Sequence, residues 1–472
     1  MKHFSFTLPG RAAYVAATAL LLNACAPAQD TPTPTAGLDL SHYLAVGDTY
    51  TAGVSAGGLT RASQQYSFPN LLAQQFQGIS AGAAFTQPLL EAGSGTGYLN
   101  FVDFIASGLA RTTRVAGQAF RGNLIITPGT CGTPDTTRLL ARAATASALP
   151  QNLGIPGITL AQLEIVGLGN EVNAKPGTPF NPYFERLLPA ADSRTYLQAV
   201  TDAAATATFF TYFQGLDDLM PYVRSGGQCG ANAAALPSIT VMRNNARKVL
   251  DRLTAKGQPG VIIRLPALTS LPFLRAGQGL GLQARLQASF GDTARIYIED
   301  PIGLRGAQPI TNGDYVLATA IARIGRPTPV VVNGATLMLP YGRDSRNPVR
   351  DADVLDNSEE LSRIAGVMSS YNNELDRLAS TIYKLPILTP SASTSTLDSE
   401  VLLFNQVAGI ISVAGVQYSS EVVRGNFFSL DYYTLTPRGN GLLANTIIAA
   451  LNRAYRTKIP AIDVNKLPAT AQ

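Results

Sequence analysis

Residues 42–47 (HYLAVG) form a short apolar run that stops at a polar, glycine-containing turn, DTYTAG, and a helix-like stretch follows from Pro69 to Phe76. Strand, loop and helix in that order open an α/β domain. The alternation returns downstream, where 207–214 (ATFFTYFQ) and 260–265 (GVIIRL) are strand candidates, each preceded by a helical stretch. In 239–254 the apolar residues Ile239, Met242, Val249, Leu250 and Leu253 suit one helical face, and Leu361, Ile364, Val367, Tyr371, Leu375 and Leu378 recur at three- and four-residue intervals. Both spacings predict amphipathic helices with their apolar stripes on a core. A last long helix is expected over 439–455, after the polar turn TLTPRG. The stretches 80–145, 166–182, 305–357 and 388–400 lack clear periodicity and predict insertions and loops on a single domain, and there is no internal repeat.

With 472 residues, 46% hydrophobic and 14% charged, the chain has room for two or three average domains or one enlarged α/β domain. The formal charge of +5 includes Lys2 and Arg11 near the start, and no run of Lys or Arg forms a stripe. That argues against nucleic acid as a partner. Residues 12–22 (AAYVAATALLL) are apolar and Leu22-Asn23-Ala24-Cys25 closes the run. It is too short to span a bilayer as a stable helix, so residues 1–24 are expected to be a signal peptide. Small residues ending in a cysteine resemble the bacterial lipobox, which implies lipidation of Cys25 and attachment to a membrane through its acyl chains. A plain secretory signal with an incidental cysteine is the alternative. The proline- and threonine-rich run 27–36 makes 25–38 an extended tether, 39–456 the folded domain and 457–472 a C-terminal tail. Cys131 and Cys229 sit among glycine and polar residues, either as a disulfide in an oxidising envelope or as two free thiols.

The segment YLAVGDTYTAGVSAGGL followed by YSFPNLLAQQF resembles the first sequence block of SGNH/GDSL ester hydrolases, particularly their Bacteroidetes lipoprotein branch. NLGIPG at 152–157 resembles the second block, FFTYFQGLDDLMPYVRSGG at 209–227 the third, and FFSLDYYTLTPRG at 427–439 the fifth. The resemblance implies a flavodoxin-like, three-layer α/β/α sandwich with a parallel sheet of about five strands, long insertions, no cofactor, and an outer-membrane location. It also implies site positions. Thr49 stands where the family has its nucleophilic serine, Gly157 and Asp217 where it has the glycine and asparagine oxyanion donors, and Asp431 and Thr434 where it has the aspartate and histidine.

Three of those five positions differ from the family, and each change bears on the chemistry. An alcohol must lose its proton to a nearby base as it attacks, and histidine is the usual base. The only histidines are His3, in the leader, and His42, at the far end of the first strand from Thr49. His42 or an unsuspected group found hydrogen-bonded to the Thr49 hydroxyl would overturn the reading of a degenerate centre. Asp217 places a carboxylate where an amide should donate, and losing one such donor commonly costs about 10²- to 10³-fold. Losing the base costs on the order of 10⁶-fold in a serine protease of another fold.

The expectation is therefore a degenerate hydrolase scaffold that binds a ligand, such as a glycan or an acylated small molecule, in the old cleft. An active carboxylic-ester hydrolase using Thr49 is the alternative. Asp48, Asp217 and Asp431, all expected at strand ends, could instead converge on Ca²⁺ or act as a carboxylate pair on a glycoside, while Asp48 and Asp218 could simply cap turns. Tyr432 and Tyr433 are candidates to fill the vacated site or to stack on a sugar, with core packing expected for at least one. The glycine-rich RAGQGLGLQ at 275–283 lacks the preceding strand of a dinucleotide site.

Overall fold

The computed structural model describes residues 35–471 apart from 81–82, 106, 129–133, 144–147, 230–231, 234, 301–305, 357, 389–403, 405–406 and 408, together with residues 1 and 3. The lipidation candidate Cys25, most of the leader and tether, Cys131, and the side chain of Cys229 lie outside the described residues. No helix among the described residues is long and apolar enough to cross a membrane.

Five short, largely apolar segments form one sheet: Tyr43–Gly47 (β1), Asn152–Gly154 (β2), Phe209–Phe213 (β3), Gly260–Ile263 (β4) and Ile387–Leu388 (β5). Every pairing is parallel and the spatial order is β2-β1-β3-β4-β5. Such strands are apolar throughout because both sheet faces are covered. Alternate side chains show it. Tyr43 and Phe209 pack their rings on Phe76, and Phe213 packs on Phe68, all on the side of helix α1 (Phe68–Ile79). Tyr212 points the opposite way, its hydroxyl 3.0 Å from that of Tyr371.

Helix α1 shares its face with α7 (Pro437–Ala454). The other face carries α2 (Tyr196–Ala204), α3 (Leu216–Arg224), α4 (Ile239–Leu253) and α6 (Glu360–Arg377), which pack on one another as α2 on α4, α4 on α6 and α6 on α3. The protein is thus a mixed α/β fold around a five-stranded parallel sheet. Residues 457–471 are less of a tail than their sequence suggests. Ile459 and Val464 are buried, and Asn445 and Asn452 of α7 bond to the backbone of Ile462 and Ile459.

Of the aperiodic stretches, 166–182 is mostly turns with one 3₁₀ turn at Glu171–Asn173, as expected, and 389–400 lies outside the described residues, while 80–145 and 305–357 depart from expectation. Within 80–145 and 305–357 the chain forms three β-hairpins, pairing Gly97–Phe104 with Ala110–Ala116, Phe120–Pro128 with Pro134–Leu140, and Pro327–Val332 with Ala335–Pro340. Two-stranded ribbons with both faces partly in solvent need no strict apolar alternation, so periodicity misses them. The last does carry a turn signal, Asn333-Gly334 at φ +50° and +81°, the left-handed pair that a two-residue hairpin turn requires. RAGQGLGLQ opens helix α5 (Gly279–Phe290), but behind it lies the helical turn Pro272–Arg275 and no strand. Leu282 and Leu286 of α5 join Ile296, Ile310, Val316, Ile321 and Val349 in a second, smaller core, so this insertion is a packed lobe and not a loop.

Candidate functional site

In a sheet ordered 2-1-3-4-5 the connections reverse direction beside β1, and the carboxyl ends of β1 and β3 flank a crevice where α/β proteins gather ligands. The chain leaves β1 as Asp48-Thr49, β3 as Gln214 to Asp217, and β2 as Ile155-Pro156-Gly157. The approach is close. A Cβ on Gly47 would lie 2.1 Å from both the Phe213 carbonyl oxygen and Thr51 Oγ1, so only glycine lets β1 end there. Gly157 turns at φ +73° and is exposed, which leaves its N–H aimed at the Thr49 side chain.

Three of the five positions that the resemblance implies converge on one atom. Asp217 Oδ2 accepts from the Thr49 hydroxyl at 2.5 Å, from the Thr49 N–H at 3.1 Å and from the Gly157 N–H at 2.8 Å. Two backbone N–H groups aimed at one point are the arrangement that holds an oxyanion, and here a carboxylate oxygen of the same chain sits at that point. Its other oxygen accepts from the Tyr433 hydroxyl at 3.1 Å. Burial first, and then Asp217, push the Tyr433 phenol well above its ordinary value, so it remains a donor. The Tyr433 ring packs edge-to-face with Tyr50, whose hydroxyl donates to the Tyr433 carbonyl at 2.5 Å, and the Arg224 guanidinium lies over the Tyr433 ring at 5.2 Å. Thr49, Asp217 and Tyr433 are all buried, with Tyr433 only 2% exposed.

The other acids act as caps. Asp48 is 1% exposed and its Oδ2 accepts the N–H groups of Gly215, Leu216 and Asp217, joining the end of β1 to the start of α3. Burial, and then Asp217, push its pKa well above the carboxylate range against the pull of those N–H groups. Asp48 Oδ1 and both polar atoms of the Gln214 amide are buried without a hydrogen-bond partner. Asp218 accepts the Leu160 N–H with both oxygens at 3.0 Å. Its pKa is pushed up to about 8, by burial first, with the Leu160 N–H opposing and Asp217 adding.

The fifth-block residues do not complete the constellation. Asp431 takes five donors: Ser429 Oγ, Tyr433 N–H and Thr434 N–H on Oδ1, and Gly57 N–H and Thr434 Oγ1 on Oδ2, at 2.5 to 3.0 Å. The Thr434 hydroxyl pairs with Asp431 and Ser429. Among the described residues no hydrogen bond joins it to Thr49, Gly157 or Asp217. Tyr433, one position earlier, makes the contact instead and fills the site, while Tyr432 turns away from it. His42 bonds to Ser41 at the opposite end of β1, about 20 Å from Thr49 at the usual rise per strand residue.

Asp48, Asp217 and Asp431 therefore do not form a shared cation or glycoside site, since each spends oxygens on separate N–H groups. Among the described residues no group of three His, Cys, Asp or Glu is placed to hold a metal. Ser429 was not legible as a site residue. Its position two before Asp431 is the one available signal, a side chain folding back on its own turn. No family model, curated protein or solved structure matches this chain.

Proposed function

We propose that the chain is a lipid-anchored envelope protein built on an SGNH/GDSL-type scaffold whose hydrolytic centre has been silenced, leaving a ligand-binding role. The supporting observation is the Asp217 carboxylate on the Thr49 and Gly157 N–H groups. A substrate carbonyl oxygen must take those same two donors to be stabilised as it becomes an oxyanion. A carboxylate already there competes for them and repels the developing charge. No imidazole is in reach of Thr49, and Thr434, the position the family gives to histidine, has its hydroxyl bonded to Asp431. The four resembling blocks, in order on a parallel sheet, support the scaffold assignment, and the Cys25 segment supports export and anchoring.

One observation favours a second reading, an active threonine ester hydrolase. Asp217 is hydrogen-bonded to the Thr49 hydroxyl at 2.5 Å, so it could accept the proton as Thr49 attacks. The same oxygen would first have to leave the two N–H groups, which ranks this reading second. Turnover of p-nitrophenyl acetate by the purified chain separates the two. The silent scaffold predicts that wild type, Thr49→Ala and buffer are indistinguishable. Turnover that disappears in both Thr49→Ala and Asp217→Asn establishes the enzyme instead.

A further inference from the structure

The loop that carries Tyr433 to Asp217 carries Tyr432 in the other direction. Tyr432 adopts φ +62°, a left-handed conformation that is costly for an aromatic residue and persists only where the surroundings enforce it. Here its carbonyl accepts from the Phe273 N–H at 2.9 Å and its hydroxyl from the Ala110 N–H at 2.8 Å. The ring so held lines a cavity of about 320 Å³ bounded by the 97–116 hairpin, the start of α5 and residues 420–424. That is within the size range of small-molecule sites.

The lining is unbalanced in charge. Arg275, Arg285 and Arg424 face a single carboxylate, Glu421. Arg285 is fixed in place, its Nε donating to the Ser107 carbonyl at 3.1 Å and its Nη2 to that of Ala276. Burial lowers its pKa, but a guanidinium starts high enough to stay charged. Arg424 lies over the Phe104 ring at 4.2 Å, and Arg275 and Arg424 are exposed at the mouth. Helix α5 begins here without a side-chain cap, and Gln278 and Gly281 of its first turn line the cavity, so the positive end of its dipole adds to the guanidinium charges. A Cβ on Gly281 would lie 3.9 Å from Arg285 Nη1, so the missing side chain leaves that guanidinium open. Phe104 and Tyr432 supply aromatic walls.

We propose that this cavity binds a small organic anion, with a carboxylate or phosphate held by Arg275, Arg285 and Arg424 and an apolar body against Phe104 and Tyr432. The proposal rests on the ligand-binding half of the reading above and not on the loss of chemistry at Thr49, so ester turnover neither supports nor sinks it. Calorimetric titration of the full chain with octanoate, octyl phosphate, inorganic phosphate and 1-octanol tests it. Octanoate or octyl phosphate is expected to bind at least tenfold more tightly than 1-octanol or inorganic phosphate, and the tighter of the two names the anion.

Arg275→Ala with Arg424→Ala should weaken that binding at least tenfold. Gly281→Leu, on an exposed helical position where leucine is well tolerated, should abolish it while leaving the melting temperature at or above that of wild type. Equal affinity for 1-octanol, no measurable binding of either anion, or binding unchanged in both variants overturns the proposal.

Discussion

The two sides of residues 429–434 use opposite chemistry. On the Tyr433 side, Asp48, Asp217 and Asp218 are buried and hydrogen-bonded to backbone N–H groups of their own chain. On the Tyr432 side, three arginines and the uncapped start of α5 surround an open cavity with one carboxylate between them. At the switch point of the sheet, where ligands ordinarily bind, the Thr49 and Gly157 N–H groups are taken by Asp217. In one place a side chain of the chain itself occupies two convergent N–H groups; in the other, the cavity made by the insertions, guanidinium charge outnumbers carboxylate around open space.

The largest expected effect comes from vacating the Asp217 position and supplying a base. Because Tyr433 takes the inward position and Thr434 faces Asp431, Thr49→Ser, Asp217→Asn and Thr434→His need Tyr433→Ala beside them. Together the four should raise p-nitrophenyl ester hydrolysis on the order of 10⁴-fold over wild type, from about 10² each for a positioned base and an oxyanion donor. A quadruple variant that folds but stays at the wild-type rate would show that the 429–434 turn keeps residue 434 on Asp431.

Asp218→Asn tests the buried acid by its pH dependence. A carboxyl with a folded pKa of about 8 and an ordinary unfolded value stabilises the fold fully below the unfolded pKa. That stabilisation is lost as pH rises toward 8, because the unfolded chain ionises first. Relative to wild type, Asp218→Asn should therefore gain stability between pH 4 and pH 8, by an amount on the order of 4 kcal/mol. Urea unfolding at the two pH values checks the sign, and a flat difference would mean that Asp218 is ionised in the fold.

Asp48→Ala should leave three N–H groups at the start of α3 without their acceptor and cost roughly 3 kcal/mol by the same measurement. Tyr433→Phe removes the one hydroxyl on Asp217 Oδ1 and should cost about 1.5 kcal/mol, with no gain in ester turnover. Turnover in that variant would make Tyr433 the residue that closes the site.

The sequence made the sheet legible where physics leaves a strong mark. β1, β3 and β4 are continuous apolar runs, and α4 and α6 carry stripes at helical spacing, because each is buried on a defined face. β5, at two residues, is too short to register, and the hairpins stand where solvent on both faces relaxes the pattern. Two dipeptides mark hairpin turns in the sequence, Asn333-Gly334 and Ala414-Gly415, the second at φ +47° and +83° between Ile410–Val413 and Val416–Ser419.

At the site, the resemblance implied Thr49, Gly157 and Asp217 as neighbours, and the structure brings them together. It did not tell whether Asp217 would repel or occupy the two N–H groups, since that depends on a side-chain direction set by α3. Nor did it reveal that Thr434 faces Asp431 while Tyr433 takes the inward position, because the turn at Tyr432 is left-handed at a residue type that rarely adopts it.

The most direct test of a silenced centre is the intact mass of the full chain after incubation with a fluorophosphonate, which reacts with activated alcohols. With Asp217 on the oxyanion donors and no imidazole beside Thr49, the mass should be unchanged. A single phosphonyl adduct mapped to Thr49 would contradict the account.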